Sequence, residues 1–116
     1  MPGISIHAFD VARGVPAAGM RVELRSLDAP VAAFAGAAGR DGHVEVGPAY
    51  TGTLPRGRYE VRFEVGAFYR AAGVAMPTLA FQEVVPFVFG IDDPAQHYHL
   101  PFKFTPWGFT LFRGGA

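Results

Sequence analysis

Apolar and charged residues strictly take turns along Met20-Arg21-Val22-Glu23-Leu24-Arg25, and again along Arg58-Tyr59-Glu60-Val61-Arg62-Phe63-Glu64. Successive side chains of a strand point to opposite faces, so a period of two predicts half-buried strands, with Tyr59, Val61 and Phe63 turned inward. A first strand is expected over residues 4–9. There Ile4, Ile6 and Ala8 share one face and Ser5, His7 and Phe9 the other. Residues 31–38 form an alanine-rich segment, and Arg40-Asp41-Gly42 predicts a turn into a short strand at residues 43–46. Residues 83–89 are apolar on both alternating sets, which suits a strand covered on both faces, although Pro86 prefers an edge or a bulge. The glycine-bounded stretch 66–73 lacks β-branched residues and predicts the one helix. Two closing strands, 97–104 and 109–113, flank Thr105-Pro106-Trp107-Gly108, whose proline and glycine suit a reversal. Seven or eight short strands at this spacing predict an all-β, two-sheet antiparallel sandwich in a single domain spanning residues 1–116.

Composition narrows the function classes. Ten basic and ten acidic side chains cancel, which leaves no electrostatic footprint for nucleic acid or an anionic membrane. Apolar residues make up 50% of the 116 and charged ones 17%, so apolar surface is left over for self-association. Cysteine is absent, which removes disulfides, thiolate metal sites and cysteine nucleophiles together. No apolar run has the length of a membrane span and the first residues do not read as a signal region, so a cytoplasmic location is expected.

The chemistry gathers on histidines. In His97-Tyr98-His99-Leu100-Pro101-Phe102-Lys103-Phe104 the alternation places His97, His99 and Lys103 on one face and Tyr98, Leu100, Phe102 and Phe104 on the other. Two histidines at alternate strand positions can ligate a metal, but the sequence identifies no third ligand, and no metal site is expected.

These residues carry a resemblance. His7-Ala8-Phe9-Asp10 with Gly14-Val15-Pro16-Ala17-Ala18-Gly19 is similar to the opening of the transthyretin-like 5-hydroxyisourate hydrolases. The segments 97–101 and 105–109, and Phe112-Arg113-Gly114-Gly115, resemble the HYHVP, SPYGY and terminal YRGS signatures of that family in order and spacing. Asp41-Gly42, residues 57–61 and residues 93–96 extend the likeness along nearly the whole chain.

The resemblance implies a transthyretin-like sandwich with one short helix, assembled as a homotetramer, a dimer of dimers whose interface forms the channel that holds the active sites. It implies hydrolysis of a small heterocyclic substrate, 5-hydroxyisourate, by attack of water at a ring carbonyl in urate (purine) degradation, with no cofactor. By motif position His7 and His99 match the catalytic histidines and Arg113 the arginine of the terminal tetrapeptide. A histidine titrates near neutral pH, so His99 is the expected general base, with His7 orienting water or stabilising charge.

Three positions depart from the family pattern. His43 stands where the family has arginine, Phe112 where it has tyrosine, and Gly115, followed by Ala116, where it ends in serine. The expected substrate-binding residues are His43, Arg113, Phe112, His97 and Lys103, the last a possible source of the missing positive charge. The departures leave two alternatives open. One is a diverged enzyme using the His7/His99 pair for acid-base chemistry on another heterocycle, for example in specialised biosynthesis. The other is a transthyretin-like small-molecule binding protein.

Overall fold

The computed structural model describes residues 2–115. Nine strands run in the order β1 (Gly3–Asp10), β2 (Val15–Pro16), β3 (Arg21–Ser26), β4 (Phe34–Ala37), β5 (His43–Val44), β6 (Gly57–Phe63), β7 (Val85–Ile91), β8 (His97–Thr105) and β9 (Gly108–Leu111). The helix α1 (Val65–Ala71) lies between β6 and β7. Two of the nine strands have only two residues, so the expected seven or eight correspond to the longer ones plus a short partner.

The strands form two sheets. One has the order β2-β1-β8-β9, with β5 also paired to β1, and the other the order β4-β3-β6-β7. Ladders are antiparallel except between β1 and β8, which run parallel over eight residue pairs from Gly3–His97 to Asp10–Phe104. The first and the penultimate strands are thus neighbours, and residues 92 or more positions apart come into side-chain contact.

Alternation decides what each strand buries. Ile4, Ile6 and Ala8 of β1, and Tyr98, Leu100, Phe102 and Phe104 of β8, point into the space between the sheets, where they meet Val22, Leu24, Tyr59, Val61 and Phe63. The Phe63 and Phe102 rings stack with centroids 3.8 Å apart, joining the two layers. A buried polar group closes one end. Asp10 is fully buried, and its carboxylate accepts hydrogen bonds from the Tyr69 hydroxyl at 2.6 Å, the Arg13 Nε at 2.6 Å and the Ala12 amide at 3.1 Å. That set of donors satisfies a charge that would otherwise be costly to bury. Burial, and then the hydrogen bond its hydroxyl donates to Asp10, drive the Tyr69 phenol up.

One expectation is corrected. Strand β7 is an edge strand and is covered on one side: Phe87 and Phe89 pack against the core while Val88 is 51% exposed. Pro86, which has no N–H to give a second neighbour, sits on that edge.

Candidate active site

The outward faces of β1 and β8 and the turn before β5 build the site. Parallel pairing sets Ser5 opposite His99, and antiparallel pairing sets His7 opposite His43. Three strands thereby bring three imidazoles together. The His7 and His43 ring centroids are 5.7 Å apart and those of His43 and His99 6.5 Å, each pair edge to face. His7, His97 and His99 are half-buried and His43 is exposed.

A glycine turn fixes the geometry. Gly42 has φ of 86°, and a side chain there would collide with the Ala8 carbonyl oxygen and press on His7 Nε2. With only hydrogen in that space, the Gly42 carbonyl accepts from the Ala8 amide at 2.9 Å and the turn lies flat on β1. The Asp41 carbonyl then accepts from His7 Nε2 at 2.8 Å, and the Asp41 carboxylate accepts from the His43 amide at 3.0 Å. That bond holds the Asp41 carboxyl below its usual range.

Hydrogen-bond chemistry assigns two tautomers. A carbonyl oxygen only accepts, so His7 donates from Nε2, and in the neutral ring the lone pair sits on Nδ1. His43 Nδ1 donates to the Ile6 carbonyl at 3.2 Å, so its bare nitrogen is Nε2. His99 Nδ1 lies 2.6 Å from the Ser5 hydroxyl oxygen, which is also 2.7 Å from His97 Nε2. Burial, then the neighbouring His43, His97 and His7, push the His99 imidazole down from its ordinary value, so it is neutral at neutral pH.

The remaining expected residues divide by register. The pairing of Phe102 with Leu111 and of His99 with Gly114 is a single continuous register, interrupted at Pro101, which has no N–H for the ladder. That register puts Phe112 on the histidine face and Arg113 on the inward one. Phe112 lies beside Gly114, where a side chain would touch His99, Pro101 and Phe112 together. Arg113 turns to the other face within the protomer. Its Nη2 donates to Gln96 and to the His97 carbonyl at 3.0 and 3.1 Å, and its guanidinium lies 4.1 Å from the Tyr98 ring centroid. It lines a separate recess of about 550 Å³ with Phe87, Phe89 and Leu111, and is not joined to the imidazoles in the protomer. Lys103 lies farther along β8. It shares the histidine face but is paired with Phe9, about 13 Å along the strand from His99, and its ammonium lies 5.9 Å from the Phe112 ring centroid.

Ser5 is the member the sequence reading missed. Its place two residues before His7 on the same strand face was visible, but its contact with His97 and His99 depends on the parallel β1–β8 pair. Among the described residues no group of three or more His, Asp or Glu side chains is arranged to hold a metal ion, and no helix is long and apolar enough to cross a membrane.

Comparison with known proteins agrees with this architecture. 5-hydroxyisourate hydrolase 2 of Rhizobium meliloti (strain 1021) is 37% identical over 114 residues, covering 96% of this chain and 94% of that protein. The structure of Klebsiella pneumoniae 5-hydroxyisourate hydrolase is 29% identical with a TM-score of 0.78, covering 99% of this chain and 100% of its own. The structure of (S)-allantoin synthase is 34% identical with a TM-score of 0.85 over 97% of this chain, which spans only 43% of that longer one. A sequence profile of the HIUase/Transthyretin family matches residues 4–114, and the chain belongs to that family.

Proposed function

We propose that the protein is a cofactor-independent 5-hydroxyisourate hydrolase of urate breakdown, working in the cytoplasm as a homotetramer. The observation that carries this reading is the meeting of His7, His43 and His99 on one outward face, in a chain whose full-length relatives are hydrolases of that name. The histidine face is open in one protomer, and a second copy is what closes it into a recess. Large apolar side chains left in water, among them Leu79 at 81%, Phe81 at 73% and Trp107 at 68% exposure, support such association.

The reaction needs a base for water, a donor for the carbonyl oxygen and a proton for the leaving nitrogen. His7 Nδ1, bare because Nε2–H is committed to Asp41, takes the proton from water as its oxygen attacks the ring carbonyl carbon. The same proton then passes to the ring nitrogen as the C–N bond breaks. His43 Nε2 is a second bare nitrogen, suited to accept from a ring N–H of the substrate. A neutral imidazole there gives up the permanent forked cation of an arginine.

The test is direct. Freshly prepared 5-hydroxyisourate should lose its ultraviolet absorbance faster with the protein than in buffer, and decay at the buffer rate would reject the reading. Introducing His43→Arg and Phe112→Tyr together should raise kcat/KM by about tenfold or more, as expected for regaining polar contacts to a developing charge.

A further inference from the structure

We propose that Ser5 and His97 are a positioning pair that fixes His99 as the tautomer with its hydrogen on Nε2, making His99 the hydrogen-bond donor to the oxygen of the attacked carbonyl. The proposal rests on the hydrolase reading above and assigns a direction to its proton traffic.

One hydroxyl sits between two rings. Ser5 Oγ lies 2.7 Å from His97 Nε2 and 2.6 Å from His99 Nδ1, and a hydroxyl has one hydrogen, so with neutral rings it donates to one ring and accepts from the other. Two arrangements satisfy both bonds. In the first, His99 Nδ1–H donates to Ser5 and Ser5 donates to His97 Nε2. His97 then carries its hydrogen on Nδ1, a buried atom without a partner among the described residues. In the second, His97 Nε2–H donates to Ser5, Ser5 donates to His99 Nδ1, and the His99 hydrogen sits on Nε2. His97 Nδ1 is then only an unused lone pair.

A buried N–H without an acceptor is the rarer and costlier defect, so the second arrangement prevails. It also improves His99 for its task. A ring nitrogen that accepts a hydrogen bond gives up electron density, and the N–H across the ring becomes a stronger donor. Every titratable group facing His99 fits the neutral form: His7 on β1, His43 on β5 and His97 on β8 each disfavour a second charge. The Asp41 carboxylate, which neighbours His7 and His43, is engaged with the His43 amide.

The cluster therefore separates givers from takers. His7 Nδ1 and His43 Nε2 offer lone pairs, and His99 Nε2–H offers a hydrogen. As the water oxygen bonds to the carbonyl carbon, the water proton goes to His7 and the carbonyl electron pair moves onto oxygen. That oxygen accepts from His99 Nε2–H, which stays on its nitrogen throughout. Collapse re-forms the carbonyl and breaks C–N, and the proton held by His7 goes to nitrogen. A neutral donor needs no protonation before each turnover.

Imidazole nitrogen spectra of the assembled, histidine-labelled protein read the assignment without any variant. At about pH 8, above the ordinary imidazole range, His99 and His97 should both carry hydrogen on Nε2 and none on Nδ1. Hydrogen on His99 Nδ1 would overturn the proposal and leave the hydrolase reading standing. If the protein fails to hydrolyse 5-hydroxyisourate, the spectra still decide the tautomer. Ser5→Ala should mix the His99 tautomers and lower kcat about tenfold or more, part of the roughly 10²–10³-fold that losing an oxyanion donor outright costs, with KM little changed. Ser5→Thr, which keeps the hydroxyl, should restore both. Lost activity with an unmixed His99 signal would mean a merely structural role for Ser5 and would also overturn the proposal.

Discussion

The two faces of the β1–β8 pair are made from the same sixteen residues and do opposite things. Inward, Ile4, Ile6, Ala8, Leu100, Phe102 and Phe104 are all within 2% of full burial and carry no polar side-chain atom. Outward, Ser5, His7, His97 and His99 are half-buried, bonded to one another or to backbone, with one ring nitrogen of His97 left unpartnered. Each large apolar side chain on the first face contributes about 1.5–3 kcal/mol of burial. The second face holds polar groups that gain little on folding and are left free for a ligand. A one-residue slip of β8 would exchange the two sets, so the core that fixes the register also aims the site.

The largest way to break this contrast is from the inside. Phe102→Ala removes a fully buried ring stacked on Phe63 and should cost about 3–5 kcal/mol in denaturant unfolding. A cost near zero would show that the inner face does not hold the sheets together. A smaller effect comes from the outer face through pH. The His99 imidazole is depressed in the fold, so its contribution is full above the unfolded value of about 6.5 and is lost as pH falls through the folded one. Unfolding free energy should fall on acidification below neutrality, and His99→Asn should flatten that slope. Glu83 and Asp28, both held down to about 2 by arginine partners, add their own loss only at lower pH. An unchanged slope in His99→Asn would remove His99 from the account of acid sensitivity.

Much of this was legible from alternation alone. The inward and outward sets of β1 and β8 are those the sequence predicts, because period two needs no knowledge of a partner. What alternation alone does not carry is which strand lies next to which. Motif position sets Arg113 among the expected substrate contacts, and its register opposite the inward Leu100 turns it toward Tyr98 within the protomer. Ser5 was overlooked because a single strand gives no sign that residue 5 faces residue 99. Alternation puts Lys103 on the histidine face, and its pairing with Phe9 shows how far along β8 it lies from His99. The β7 expectation failed in the same way, since an apolar run reads alike whether its outer face meets a second layer or water. The proposed roles of His7 and His99 differ from the sequence expectation for another reason: a tautomer is set by hydrogen-bond partners, and partners are tertiary.

On this reading the outward imidazoles carry the chemistry and the inward face carries the fold. The most direct measurement is the initial rate of 5-hydroxyisourate absorbance loss for wild type and His7→Ala, alongside the denaturation midpoint of each. The account predicts that the rate falls by about 100-fold or more, the loss expected for a positioned acid-base group, while the midpoint barely moves. A His7→Ala protein that hydrolyses as fast as wild type, with its fold intact, would contradict it.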